Sequence, residues 1–156
     1  LAAGGEISTQ GVINPWGDNT PDNRTFIDAI ANAAQSISAS VVAKVLFQTT
    51  NVDYQSEFSN STFTAKKTGQ YMVSAYVMLN SFSTDSSIDL TIRLNGVAHV
   101  KTVRSPMRVG SQTAFIAMPI QLTAGTALDI CINSTSNGSI SSADGARTFI
   151  TIQREA

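Results

Sequence analysis

The sequence predicts an all-β sandwich preceded by an extended arm and one short α-helix, and three observations carry that reading. Apolar and polar residues alternate through Ile88, Leu90, Ile92 and Leu94, and again through Ala114, Ile116, Met118, Ile120 and Leu122. That is the period-two signature of strands with one buried face. Asn95-Gly96 follows the first of these runs, and a type I′ hairpin turn needs positive φ at both of its central residues. From residue 41 onward, about eight short strand-like runs recur with turn residues between them, the spacing of a sandwich.

Composition narrows the function classes before any motif is considered. The chain has 156 residues, enough for one domain with an appended segment and a proper core. Charged residues make up 13%, with ten Lys and Arg against eleven Asp and Glu. No one-sided positive field arises from that balance, so nucleic acid is set aside as a partner. Ser, Thr and Asn supply the polarity instead, as on the strand surfaces of extracellular and virion proteins. The single cysteine, Cys131, rules out an intramolecular disulfide framework. It fits a protein of the cytosol, or a particle assembled there and later released. No apolar run approaches the roughly 20 residues of a membrane span, so none is expected. The chain opens on Leu1 rather than Met, as expected of a processed or trimmed product.

Residues 1–20 read as an extended arm. They are rich in Gly, Asn and Ala, with Gly4-Gly5 and Asn14-Pro15-Trp16-Gly17-Asp18 as turns. Ile7, Val12, Ile13 and Trp16 are isolated apolar points that cannot form a core of their own. They are the candidate residues for docking on a larger particle, because an unsupported Trp16 would otherwise be an exposed anchor; a mobile arm is the plain alternative. Residues 21–40 carry helix signals: Thr20 can cap, Pro21 suits the first helical position and Asp22 sits at the positive end of the dipole. Ile27, Ile30, Ala34, Ile37 and Val41 follow at intervals of three and four. They form a two-heptad seam that either lies on its own domain or makes a trimeric bundle, since Ile at both a and d leans toward trimers. These five are the candidate trimer-interface residues, and Ser36, Ser38 and Ser40 close the helix.

Residues 41–156 read as the β domain. Val41–Thr49 is a first strand, and a short strand around Phe63 follows. Tyr71–Leu79 is apolar on both faces, as a strand buried on two sides should be. After the Asn95-Gly96 hairpin come Val97–Val103, Gln112–Leu122, Ala127–Ile132 and a closing strand over Arg147–Gln153. Ser134 to Gly145 reads as a long loop of small polar residues, either solvated coil or a contact loop at the sandwich rim.

Particular residues give this β domain a family likeness. Phe47 heads an Asn-rich excursion, Phe63-Thr64 resumes the strand, and Gly69-Gln70-Tyr71 turns into a long apolar strand. Leu94-Asn95-Gly96, Leu122-Thr123-Ala124-Gly125 and Arg147-Thr148-Phe149 follow in order. Together they resemble the globular head shared by complement component one, subunit q, and the tumour necrosis factor cytokines, over roughly residues 43–154. The resemblance implies a jelly-roll β-sandwich that assembles as a homotrimer. Departures exist: Thr126 stands where an Asp is expected, the Gly after the last-strand Phe is missing, and a helix replaces the collagen repeat. They point to a distant microbial or phage-type member.

Little in the chain supports chemistry. His99 is the only histidine, so no dyad, triad or multi-His metal site exists within one chain; it reads as a strand-surface residue, or as a ring of three at a trimer axis. Cys131, lacking a nearby Cys or His, reads as a small buried thiol rather than a nucleophile. Asp85, Asp89 and Asp144 could offer oxygen to calcium, as in some complement-like heads, but no spaced ligand motif accompanies them, and no cofactor or metal is predicted. Asn23, Asn60, Asn133 and Asn137 begin Asn-x-Ser/Thr sequences that a Ser/Thr-rich chain produces by chance. The expectation is therefore a non-enzymatic, homotrimeric virion protein at the virion or extracellular surface. It would be a fibre knob or capsid decoration, partnered by itself, by a larger assembly through the arm, and by a cell-surface receptor or glycan. A bacterial cell- or spore-surface filament head is the alternative, and a secreted cytokine-like ligand a weaker one.

Overall fold

A computed structural model describes residues 24–82, 84–142 and 148–155, which form thirteen β-strands and no helix. In chain order these are β1 (Phe26–Ile30), β2 (Gln35–Ile37), β3 (Ala43–Lys44), β4 (Thr49–Asp53), β5 (Phe58–Ser59), β6 (Thr62–Thr64) and β7 (Gly69–Phe82). There follow β8 (Ser86–Leu94), β9 (Ala98–Met107), β10 (Gly110–Leu122), β11 (Ala127–Ser134), β12 (Gly138–Ile140) and β13 (Phe149–Arg154). One sheet has the order β2-β12-β7-β13-β1-β4, with β10 also paired to β7; the other runs β5-β6-β11-β8-β9, with β3 also paired to β11. Strands distant in sequence lie side by side, β1 with β13 and β6 with β11, so the chain crosses repeatedly between the sheets. That crossing makes the sandwich a jelly roll.

The alternation seen in the sequence is the alternation of burial. Ile88, Leu90 and Ile92 of β8 face Ile116, Ile120 and Leu122 of β10 in a single core. Phe63 and Tyr71 close one end of it, their rings 5.4 Å apart edge to face. The Tyr71 hydroxyl leaves the core by donating to the Lys67 carbonyl at 2.6 Å. Phe82 fills the other end against Gly138. The Asn95-Gly96 hairpin turns between β8 and β9 with φ of 51° and 73°, the left-handed geometry its residues permit. Asn95 adds a second role, its Oδ1 accepting from Ala127 N at 3.0 Å and tying the turn to β11.

The helix expected over residues 21–40 is not what residues 24–40 form. β1 pairs with β13 on one side and with β4 on the other, so its backbone groups are satisfied by ladders rather than by an internal helix. Ile27, Ala29 and Ala31 point into the core while Phe26, Asp28 and Ile30 point away. Ile37 lies on β2 and is also core, whereas Ala34 is exposed and Val41 is 53% exposed. The three-four spacing therefore arose from two short strands separated by a bend, and Ile27 and Ile37 belong to the protomer's own core rather than to a seam. Thr20, Pro21 and Asp22 lie outside the described residues, as do the arm residues Ile7, Val12, Ile13 and Trp16.

Two further elements differ from expectation. Val41–Thr49 is not one strand: Thr49 already belongs to β4, and of the rest only Ala43–Lys44 joins a ladder, opposite Ile132 and Cys131. Beyond it Val45 and Phe47 plug the core, and two glutamines take over the role of a ladder. Gln35 donates to Lys44 O at 2.6 Å and accepts from Leu46 N at 3.0 Å, and Gln48 accepts from Asn32 N at 2.9 Å. Within the expected loop 134–145, Gly138–Ile140 forms β12 between β2 and β7.

Both sheets end on one flank in long strands. Among the described residues β10 pairs only with β7, and β9 only with β8. Each of these open edges carries a proline, Pro119 on β10 and Pro106 on β9. A proline has no N–H to offer a further strand.

Candidate interaction face

The two outward faces of the sandwich differ in chemistry. On the β8–β11 sheet the outward side chains pair among themselves. Arg93 grips Asp129 through two hydrogen bonds of 2.8 Å, and Arg104 grips Asp89 at 2.6 and 2.7 Å. Between them the hydroxyls of Thr91 and Thr102 meet at 2.9 Å. The Arg104 hydrogen bond holds the Asp89 carboxyl below its usual range, against a smaller opposing effect of burial. Lys44 Nζ is turned to Asn60 O and Thr62 Oγ1. This face carries charge but leaves little of it unspent.

The outward face of the β7–β13 sheet carries an aromatic row beside a polar one formed by Asp28, Thr151 and Ser74. Register alignment sets Ile30 beside Phe149, Phe149 beside Tyr76, and Tyr76 beside Phe115, in one row across β1, β13, β7 and β10. Tyr76 and Phe149 stack nearly parallel, 5.4 Å between centroids at 9°, and Tyr76 meets Phe115 at 6.0 Å. Phe115 is still 51% exposed and Met72, lower on β7, 37% exposed. Large aromatic rings left open in a contiguous row are the composition of an interface core rather than of a solvated surface. At the far side of the same face, Phe26 meets Tyr54 at 6.2 Å, and Tyr54 remains 53% exposed.

Of this face only Ile30 was singled out for an interface from the sequence, and there as part of a helical seam; Tyr76, Phe115 and Phe149 were not. The signal was present in β7, whose run Tyr71–Leu79 is apolar on both faces. One of those faces, Tyr71, Val73, Ala75, Val77 and Leu79, is the core; the other, Met72, Tyr76 and Met78, is the open face. Phe115 was visible too, as a large ring on the outward phase of β10 among Thr113, Ala117 and Pro119.

The residues weighed for chemistry fall elsewhere. Cys131 is fully buried on β11, with burial as the main cause and the Asp129 charge as the second pushing its thiol up to about 12. Asp89 is held by Arg104, and Asp85 accepts from Val109 N at 3.2 Å. Asp144 lies outside the described residues. Among the described residues no three His, Cys, Asp or Glu side chains gather as a metal site would require. His99 lies on β9 opposite Arg93, its side chain outside what is described. No helix among the described residues is long and apolar enough to cross a membrane.

No protein-family model matches the sequence, and no curated protein matches it. Solved structures do. Murine APRIL superposes with a TM-score of 0.63 at 14% identity, over 85% of this chain and 99% of that one. The Eiger TNF from S. frugiperda superposes with a TM-score of 0.60 at 13% identity, over 85% and 92%. The fold is a tumour necrosis factor-like jelly roll. At such identities the likeness is one of fold, and it agrees with the resemblance read from Phe63-Thr64, Gly69-Gln70-Tyr71 and Leu94-Asn95-Gly96. Within this tumour necrosis factor-like sandwich, the aromatic row occupies the outward side of the sheet that holds β1, β7, β10 and β13.

Proposed function

We propose that this chain is the head of a non-enzymatic homotrimer, a structural or attachment protein of a virion, with the aromatic face of the β7–β13 sheet turned inward between copies. The observation that carries the assembly is the row Ile30–Phe149–Tyr76–Phe115, open on a sheet whose opposite side is already the core. Burying one such ring fully is worth roughly 2 kcal/mol, and several copies of the row would be covered at once. The jelly-roll fold and the self-paired charges of the other sheet, which suit a solvated outer wall, support the same orientation.

In light scattering at micromolar concentration, the expected mass is three times the 16.5 kDa of the chain. Phe115→Asp is expected to reduce it to a single chain with the β-sheet circular dichroism retained, because a charge placed in an apolar interface costs several kcal/mol without a partner. A wild-type protein of single mass would overturn the assembly. The virion role belongs to the arm: removing residues 1–20, with Ile7, Val12, Ile13 and Trp16, is expected to abolish co-sedimentation with particles stripped of native copies while leaving the trimer mass unchanged. Full retention of the truncated protein would remove the arm from the docking role.

A further inference from the structure

We infer that the end of the core beneath the turn between β6 and β7 is a built site for one buried water, held between the Glu57 carboxylate and the Arg154 guanidinium. Register places the residues of one wall. The Arg154 amide donates to Thr25 O at 3.3 Å, and Arg154 pairs with Tyr71 on β7. Two residues away along each strand, the same phase supplies Ile27, Ile152 and Val73 to the core, all fully buried. Thr25, Arg154 and Tyr71 are therefore the last layer of that sheet's inner side, and the layer is polar.

Glu57 closes the layer from opposite. It lies in the connection from β4 to β5, which carries the chain from one sheet to the other. Asp53 fixes that connection by accepting from the amides of Glu57 and Phe58 at 2.9 and 2.8 Å. Glu57 is only 4% exposed. Its Oε1 accepts from Lys66 N at 3.0 Å, whereas the buried Oε2 has no partner within the chain. Arg154 is its complement: Nη1 is shut off from solvent and meets no acceptor. The Arg154 stem lies against Gly69, where a Cβ would stand 3.3 Å from Nε, so the turn holds it close. Burial, and after it the Glu57 charge, raise the pKa of the Tyr71 hydroxyl, while Arg154 opposes them. Both charges are thus felt at that one oxygen.

Hydrogen-bond inventory selects the occupant. A buried carboxylate oxygen and a buried guanidinium N–H are each costly to leave unpaired. A cation would suit Glu57 but be repelled by Arg154, and an anion would meet the reverse. Water is neutral, donates to Oε2 and accepts from Nη1 in a single molecule. The Tyr71 oxygen, its own hydrogen spent on Lys67 O, keeps a lone pair for the water's second hydrogen. So bridged, the start of β1, the end of β13 and the β4–β5 connection become one unit.

The test is a crystal structure of the full chain, joined to oxygen-17 relaxation dispersion, which counts long-lived internal waters in solution. The expected density is one water within about 3 Å of both Glu57 Oε2 and Arg154 Nη1. Glu57→Gln is expected to keep it, since the amide still offers a hydrogen-bonding group at each position. The double variant Glu57→Leu, Arg154→Met is expected to lose it, with one long-lived water fewer by relaxation dispersion. Arg154→Met alone strands the carboxylate, so the Lys66 amide that donates to Glu57 should exchange about tenfold faster or more. A direct carboxylate–guanidinium contact in the wild-type crystal would overturn the inference, as would an ion in place of the water. An unchanged count of long-lived waters in the double variant would overturn it too. The wild-type density decides even where the double variant does not fold.

Discussion

Phe63→Ala is expected to cost about 4 kcal/mol, within the range for deleting a buried phenyl ring. Phe63 is fully buried at the end of the core, on a strand of only three residues held between Phe58 on β5 and Leu128 on β11. So short a strand has little ladder to hold it, and its place in the second sheet depends on the ring. The same ring meets Tyr71 edge to face, a contact worth about 1 kcal/mol beyond the area buried. Tyr71→Phe is the control: it keeps the packing and removes the hydrogen bond to Lys67 O, so a loss of about 1 kcal/mol is expected. Urea unfolding at one fixed protein concentration measures both, since the stability of an oligomer moves with concentration. A loss below about 1.5 kcal/mol for Phe63→Ala would mean that β5 and β6 contribute little to the cooperative unit.

Gly138→Ala is expected to destabilise by about 2–3 kcal/mol, the cost of overpacking a core that cannot shift. A Cβ at Gly138 would lie 2.5 Å from Cζ of Phe82 and 2.7 Å from both ε carbons. Phe82 is 2% exposed, so its ring has no solvent to retreat into. The backbone cannot easily yield either, because β12 is laddered to β2 and β7 on its two sides. The proof of mechanism is a double-mutant cycle. Phe82→Leu shortens the ring's reach, so Gly138→Ala should cost at least 1 kcal/mol less in that background than in wild type. Additive losses would show that the two positions do not clash.

The clearest parts of the sequence were those where local pattern and tertiary environment agree. The alternation of β8 and β10 and the Asn95-Gly96 turn are local facts that the sandwich merely uses. Residues 24–40 were opaque for the opposite reason. β1 is a strand because β13, more than a hundred residues away, and β4 pair with it, and neither partner is visible in the segment itself. The bend over residues 31–34 then spaced Ile27, Ile30, Ala34, Ile37 and Val41 like a helix stripe. β12 escaped notice because Ser, Gly and Asn carry no strand pattern; its place depends on Gly138 letting Phe82 approach. The interaction face was half legible. A strand apolar on both faces announced two burials, but only the register of β13, β7 and β10 could show that Phe149, Tyr76 and Phe115 form a single row.

The prolines at the two open edges have a consequence for crowded conditions. At high local concentration, open β-strand edges can zip together into fibrils. Pro106 and Pro119 interrupt the donor rows of β9 and β10 on the one flank where both sheets end in long strands. Dense arrays of this jelly roll should therefore stay discrete, each head keeping its own boundary however tightly its neighbours are packed.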